Sequence, residues 1–239
     1  MLGIILQLVI SWLLVWLFEK KDLGVLGFRP TRRRVIDFAL FFMITAICCS
    51  SGFFMRMYFG ERWVVNPVLS FNLIATGLWW NIKSVLFEEL IFRGVLLYIL
   101  IKRLGIQKAI IISAIGFGIY HWFSYGIIGN YLQMAIIFVV TGTMGLLLAY
   151  GYSKTISLYI PCAIHLGWNF TYGFVFSEGP IGNGILIYVK PVTVVNVSYI
   201  IYYTVLYFPM VCMLLINYFL LKRRKQVELG IQISRLKVQ

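Results

Sequence analysis

A small set of ionisable side chains lies deep inside long apolar segments of this sequence, where charge is costly and usually functional. Glu88, Glu89 and Arg93 share the segment SVLFEELIFRGVLLYIL, and the only two histidines, His121 and His165, lie in two later apolar segments. A carboxylate and an imidazole can share general-base work on a water molecule. A second imidazole can donate a hydrogen bond to a tetrahedral intermediate. These residue types suit the hydrolysis of a carbonyl compound.

Helical spacing assigns roles to the acidic segment. Glu89 and Arg93 are four residues apart in the favourable order and are predicted to form a structural ion pair. Glu88 points about 100° away around the helix and remains free for chemistry.

The two histidines also have partners four residues away. His165 shares a helix face with Asn169, whose carboxamide can join it in binding an oxyanion. Phe117 has the same spacing from His121, and we expect it to pack rather than to react.

The three segments bring their polar residues to a similar depth. Along ideal helices, Glu88, His121 and His165 lie about 21, 20 and 16 Å from the nearest basic loops. Independent structural residues would have no reason to share a level. The sequence therefore predicts one site, in the half of the membrane away from those loops.

Other intramembrane hydrolase types are excluded by inspection. There is no HExxH zinc motif and no GxSxG nucleophile motif. The only aspartates are Asp22 and Asp37, so a deep aspartyl dyad cannot form.

Composition indicates what must position these residues. Of 239 residues, 61% are hydrophobic and 12% are charged, about half the charge of a soluble domain. Apolar blocks long enough to cross a membrane follow one another along the chain. We expect an all-α, polytopic integral membrane bundle of about seven to eight transmembrane helices, forming a single domain over 1–239 with its catalytic core at about 84–170. A span at 84–101 is predicted to follow a tilted or re-entrant piece at 67–82.

The net charge of +13 is distributed as in a membrane protein. Sixteen of the 21 basic residues fall in segments 19–34, 102–108, 151–154 and the tail from Lys222, against three in the opposite loops. This asymmetry places the first group, and with it the C-terminus, on the cytoplasmic side. Partners are therefore membrane lipids and not nucleic acid. The four cysteines lie in apolar blocks without metal-ligand spacing and are expected to be buried thiols.

Three ordered motifs can now be compared with a known family. EExxxR (Glu88, Glu89, Arg93), FxxxH (Phe117, His121) and HxxxN (His165, Asn169) together resemble the CPBP family. This family comprises the CAAX-prenyl-endopeptidase and bacteriocin-processing proteins, also called Abi.

The resemblance implies an intramembrane endopeptidase acting on a peptide or on the C-terminus of a lipidated protein. It implies that Glu88 and His121 activate water, that His165 and Asn169 form the oxyanion hole, and that Glu89 and Arg93 give structural support. No cofactor is expected. The less favoured interpretation is a zinc ion bound by Glu88, His121 and His165. The expected location is a bacterial cell membrane.

Two other functions stay open. A proton-coupled carrier could use the same ionisable residues, although no internal repeat is seen. A non-catalytic scaffold or immunity protein could retain the fold without turnover. The sequence indicates neither the substrate nor the oligomeric state.

Overall fold

A computed structural model describes residues 2–179, 182–190 and 197–227 of the chain. The described residues form eight α-helices and one short two-stranded sheet. The helices are α1 (Leu2–Glu19), α2 (Arg32–Tyr58), α3 (Phe71–Arg93), α4 (Val95–Leu104), α5 (Ile106–Ser124), α6 (Tyr131–Thr155), α7 (Tyr159–Asn169) and α8 (Tyr199–Lys222), and the strands are β1 (Arg62–Val65) and β2 (Leu186–Val189). The predicted all-α membrane bundle is confirmed.

Five of the described helices are long and apolar enough to cross a membrane: α1, α2, α5, α6 and α8. Helix α3 has 23 residues but carries the charged motif. Helices α4 and α7, with 10 and 11 residues, are too short to span a bilayer alone. The described residues therefore form eight α-helices, of which five qualify as candidate spans, against the prediction of about seven to eight transmembrane helices.

The boundary between α3 and α4 differs from the prediction. Helix α3 runs without interruption from Phe71 to Arg93. The prediction of a separate piece at 67–82 followed by a span at 84–101 was therefore wrong. The helix breaks instead at Gly94, whose backbone leaves the helical region at φ −80° and ψ −133°. A Cβ atom there would lie 2.2 Å from the carbonyl oxygen of Leu90, so the bend needs a glycine directly after the charged motif.

Side-chain caps explain where several helices begin. The side-chain oxygens of Thr31, Ser70, Asn130 and Ser198 accept hydrogen bonds from backbone amides of the first turns of α2, α3, α6 and α8.

The basic segments meet at one end of the bundle. We call this end the basic face and define it as segments 19–37, 102–103, 153–159 and 222–227. Lys102 forms an ion pair with Glu19, and Arg224 Nη1 lies 2.6 Å from Asp37 Oδ2. The hydroxyl of Tyr159 donates to a carbonyl oxygen in the first of these segments. The predicted grouping therefore holds for these segments, while the tail beyond Val227 lies outside the described residues.

The opposite end is closed by the antiparallel pair of β1 and β2, which joins residues more than 120 positions apart. Beside the sheet, Arg56 bridges the carboxylates of Glu61 and Glu178 at 2.8 and 2.9 Å. The bundle thus has one basic end and one end with a mixed-charge, aromatic cap.

Candidate active site

Three helices bring one carboxylate and two imidazoles together. Glu88 Oε2, on α3, lies 3.9 Å from Nε2 of His121 on α5 and 3.8 Å from Nε2 of His165 on α7. Their side chains are only 14%, 8% and 6% exposed. The structure therefore gathers the three predicted residues into one buried pocket.

The ring of His121 is held by its own helix. Its Nδ1 lies 2.7 Å from the carbonyl oxygen of Phe117, one turn earlier. A carbonyl only accepts, so Nδ1 carries the proton and Nε2 presents its lone pair towards Glu88. The rings of Phe117, Tyr120 and Tyr125 surround the imidazole at centroid distances of 4.5, 5.4 and 5.3 Å. This arrangement fixes both the tautomer and the direction of the ring.

Glu89 does more than pair with Arg93. Its Oε1 lies 3.1 Å from Arg93 Nη1, as the spacing predicts, and also 2.7 Å from Nδ1 of His165. Both side chains of the ion pair are fully buried. The carboxylate therefore orients His165 so that Nε2 faces Glu88. Sequence reasoning missed this contact.

Arg93 links α3 to two further helices. Its Nη2 donates to the carbonyl oxygen of Gly145 on α6 at 3.3 Å. Its guanidinium carbon lies 4.1 Å from the centroid of the Phe117 ring, a cation–π contact. Phe117 thus packs as predicted and supports both Arg93 and His121. A backbone carbonyl such as that of Gly145 leaves no signal in the sequence.

Asn169 is the last residue of α7, one turn beyond His165. It is half-buried, and its side chain makes no hydrogen bond within the described ranges. A π-helical turn, Phe170–Val175, follows it directly. Such turns occur frequently at functional sites. The carboxamide is therefore beside the histidine but is not joined to the other site residues.

The predicted depth of the site assumed three unbroken helices. This assumption fails for the segments that carry His165 and Glu88. Helix α7 begins only at Tyr159, which belongs to the basic face, so His165 lies about 9 Å along the helix axis from that end. The break at Gly94 also interrupts the path from the basic loop to Glu88. The site therefore lies closer to the basic face along α7 than the prediction of about 16 Å.

The fit of a metal ion can be judged from spacing. Both imidazoles have Nδ1 held by an acceptor, which is the support that metal-binding histidines use. However, tetrahedral zinc with bonds of about 2.0 Å holds its ligands about 3.3 Å apart. The distances of 3.8 and 3.9 Å are wider, and no group of three or more His, Cys, Asp or Glu among the described residues has metal-site spacing. The three donors are therefore gathered in one place, but Glu88 lies farther from each imidazole than ligands of a tetrahedral zinc ion lie from one another.

One cavity of the described residues is separate from this pocket. It has a volume of about 530 Å³ and lies between α2, α8 and β2, near the end with the sheet. Trp168 and Tyr172, which flank Asn169, contribute to its wall, but Glu88 and the histidines do not.

A family model covers the segment that builds the pocket. Residues 70–171 match the model described as Type II CAAX prenyl endopeptidase Rce1-like. This segment is similar to an Rce1-like domain. The matched segment begins at the cap of α3, ends just after Asn169 and contains every predicted site residue. The resemblance in the three motifs is therefore confirmed, and the family supports a CAAX-type intramembrane protease in general. No curated protein and no solved structure matches the chain.

Proposed function

We propose that the chain hydrolyses a peptide bond with a water molecule activated by Glu88 and His121. The observation that supports this most is the Oε2 atom of Glu88. It is buried, has no hydrogen-bond partner among the described residues, and faces the Nε2 atoms of His121 and His165. A buried carboxylate oxygen without a partner is costly in a structural role but is useful as a proton acceptor.

The proposed reaction needs no covalent intermediate. Glu88 and the Nε2 lone pair of His121 hold the water, and Glu88 accepts a proton as the water oxygen attacks the carbonyl carbon. The resulting oxyanion lies towards His165 and Asn169. Glu89 holds Nδ1 of His165, which turns Nε2 towards the oxyanion, and an Nε2–H there can donate to it. Collapse breaks the C–N bond, and the proton on Glu88 passes to the leaving amine.

The proposed substrate is a peptide or the C-terminus of a lipidated protein, as the family description suggests. The direct test uses purified protein in proteoliposomes and a farnesylated CAAX peptide with a fluorescent N-terminus, beside the same peptide without the lipid. We expect a shortened fluorescent product from the farnesylated peptide. Intact peptides of both kinds, with folded protein, would contradict the proposal.

The two histidines provide a second prediction. His121→Ala and His165→Ala should each reduce cleavage at least about 100-fold, because each removes a group from the water or from the oxyanion. The rate of product formation is measured beside thermal unfolding of each variant. Tyr131→Ala, a highly exposed change on α6, is the control and should keep full activity. Normal turnover in either histidine variant would remove that residue from the mechanism.

Metal dependence is a second candidate chemistry, because Glu88, His121 and His165 are donors that zinc accepts. We expect cleavage to continue after dialysis against a strong chelator, since the pocket is wider than a zinc site. The same sample is assayed again after addition of Zn²⁺. Loss of activity with the chelator and recovery with Zn²⁺ would replace direct water activation by metal catalysis.

A further inference from the structure

The basic face carries more cations than the described acidic residues can neutralise. Its three acidic residues are already engaged. Glu19 pairs with Lys102, Asp37 pairs with Arg224, and Asp22 accepts a hydrogen bond from a backbone amide at 2.6 Å. No other carboxylate lies in these four described segments to pair with the remaining basic residues.

The arginines at the start of α2 are the densest part of this excess. Arg29, Arg32 and Arg33 are exposed, and none has an acidic partner within 4.0 Å among the described residues. Arg34 is half-buried, and its Nη1 donates to the carbonyl oxygen of Arg29 at 2.7 Å. Three of these arginines occupy the first turn of a helix, where the helix dipole is positive and cations are unfavourable. The part of the chain that the structure describes places no carboxylate within 4.0 Å of these arginines to compensate for this arrangement.

The position of the cluster identifies a compensating partner. It lies at the first turn of α2, a helix long and apolar enough to cross a membrane. Basic residues at such an end are expected to lie among lipid headgroups. Guanidinium groups bind phosphate in two-pronged geometry, and basic residues beside a membrane attract acidic lipids. Charge complementarity therefore favours the phosphate of an acidic phospholipid.

Helix α2 connects this cluster to the active site. It packs closely against α7, where a Cβ atom on Gly167 would lie 2.7 Å from the carbonyl oxygen of Phe42. Helix α7 carries His165 two residues before that contact. Ordering the first turn of α2 would therefore stabilise the packing of α2 against α7, the helix that positions His165.

We propose that Arg29, Arg32 and Arg33 form a binding surface for acidic phospholipid headgroups, and that lipid binding stabilises α2 and raises the activity of the site. The effect on activity rests on the proposed function, whereas the effect on stability does not.

The test compares full-length protein in nanodiscs of pure phosphatidylcholine with nanodiscs containing phosphatidylglycerol. Phosphatidylglycerol should raise the Tm by about 5 °C or more. The variant R29Q/R32Q/R33Q should lose most of this increase. Cleavage in proteoliposomes of the same compositions should follow the Tm.

The matched control is K222Q/R223Q/K225Q, which removes three exposed cations from the same face but at a helix C-terminus. It should keep most of the increase in Tm. Equal losses in both variants would assign the effect to overall charge and overturn the proposal. An unchanged Tm in phosphatidylglycerol, or the same increase with millimolar inorganic phosphate in neutral lipid, would also overturn it. A normal Tm response without cleavage in any lipid would count against the proposed function alone.

Discussion

Replacing Glu88 by Gln is expected to lower kcat by about 10²–10⁴-fold, the range that a general base contributes. The amide keeps the size of the side chain but cannot accept a proton from water. Folding should be retained, because Glu88 makes no hydrogen bond to a described residue through Oε2. The measurement is the rate of peptide cleavage in proteoliposomes, beside the Tm of both proteins.

Glu178→Gln is the matched control for this change. Glu178 is also a carboxylate with an ionic partner, but it lies beside the sheet, where it pairs with Arg56 at 2.9 Å. We expect that control to cleave at the normal rate. If Glu88→Gln cleaves at the normal rate as well, the assignment of Glu88 as the base is wrong. If it also supports full function in cells, a scaffold role becomes the better explanation.

Replacing Arg93 by Ala is expected to destabilise the protein by about 3–5 kcal/mol, which is typical when one partner of a buried ion pair is removed. The Arg93 and Glu89 side chains are both fully buried, so Glu89 would be left with only the His165 imidazole beside it. The contacts to Gly145 and to the Phe117 ring would be lost too. Thermal and denaturant unfolding in detergent measure the effect.

A second arginine, Arg56, tests whether burial explains the large loss of stability expected for Arg93→Ala. Arg56 contacts two carboxylates but is 29% exposed, and an exposed pair contributes about 0–1 kcal/mol. Arg56→Ala should therefore cost much less than Arg93→Ala. If Arg93→Ala does not fold, the double variant Glu89→Leu/Arg93→Met removes both charges and should recover stability while remaining inactive. Equal stabilities of the two single variants would contradict the role given to Arg93.

The residues of the pocket could be predicted from the sequence, because spacing along one helix determines which side chains share a face. The 3.6-residue period separates Glu88 from the Glu89–Arg93 pair, and the cost of burying charge explains why three helices should share one pocket. Spacing does not say which neighbouring helix a side chain meets. The contact between Glu89 and His165 depends on how α3 packs against α7, so it could not be predicted.

The differences in the fold have similar causes. A continuous apolar pattern hides the break at Gly94, because the bend depends on one close approach to the carbonyl of Leu90. The strands β1 and β2 are four residues each and pair over a long separation. Such short pairings follow from the surrounding helices rather than from local propensity.

The Glu89–Arg93 pair also bears on how the chain enters a bilayer during synthesis. Both residues belong to one helical turn, and their contact needs no other part of the protein. Helix α3 can therefore enter the lipid with these two charges already matched, before the segment containing His165 has been translated. The imidazole then arrives at a carboxylate that is already in place, so assembly of the pocket does not expose a lone charge to hydrocarbon at this position.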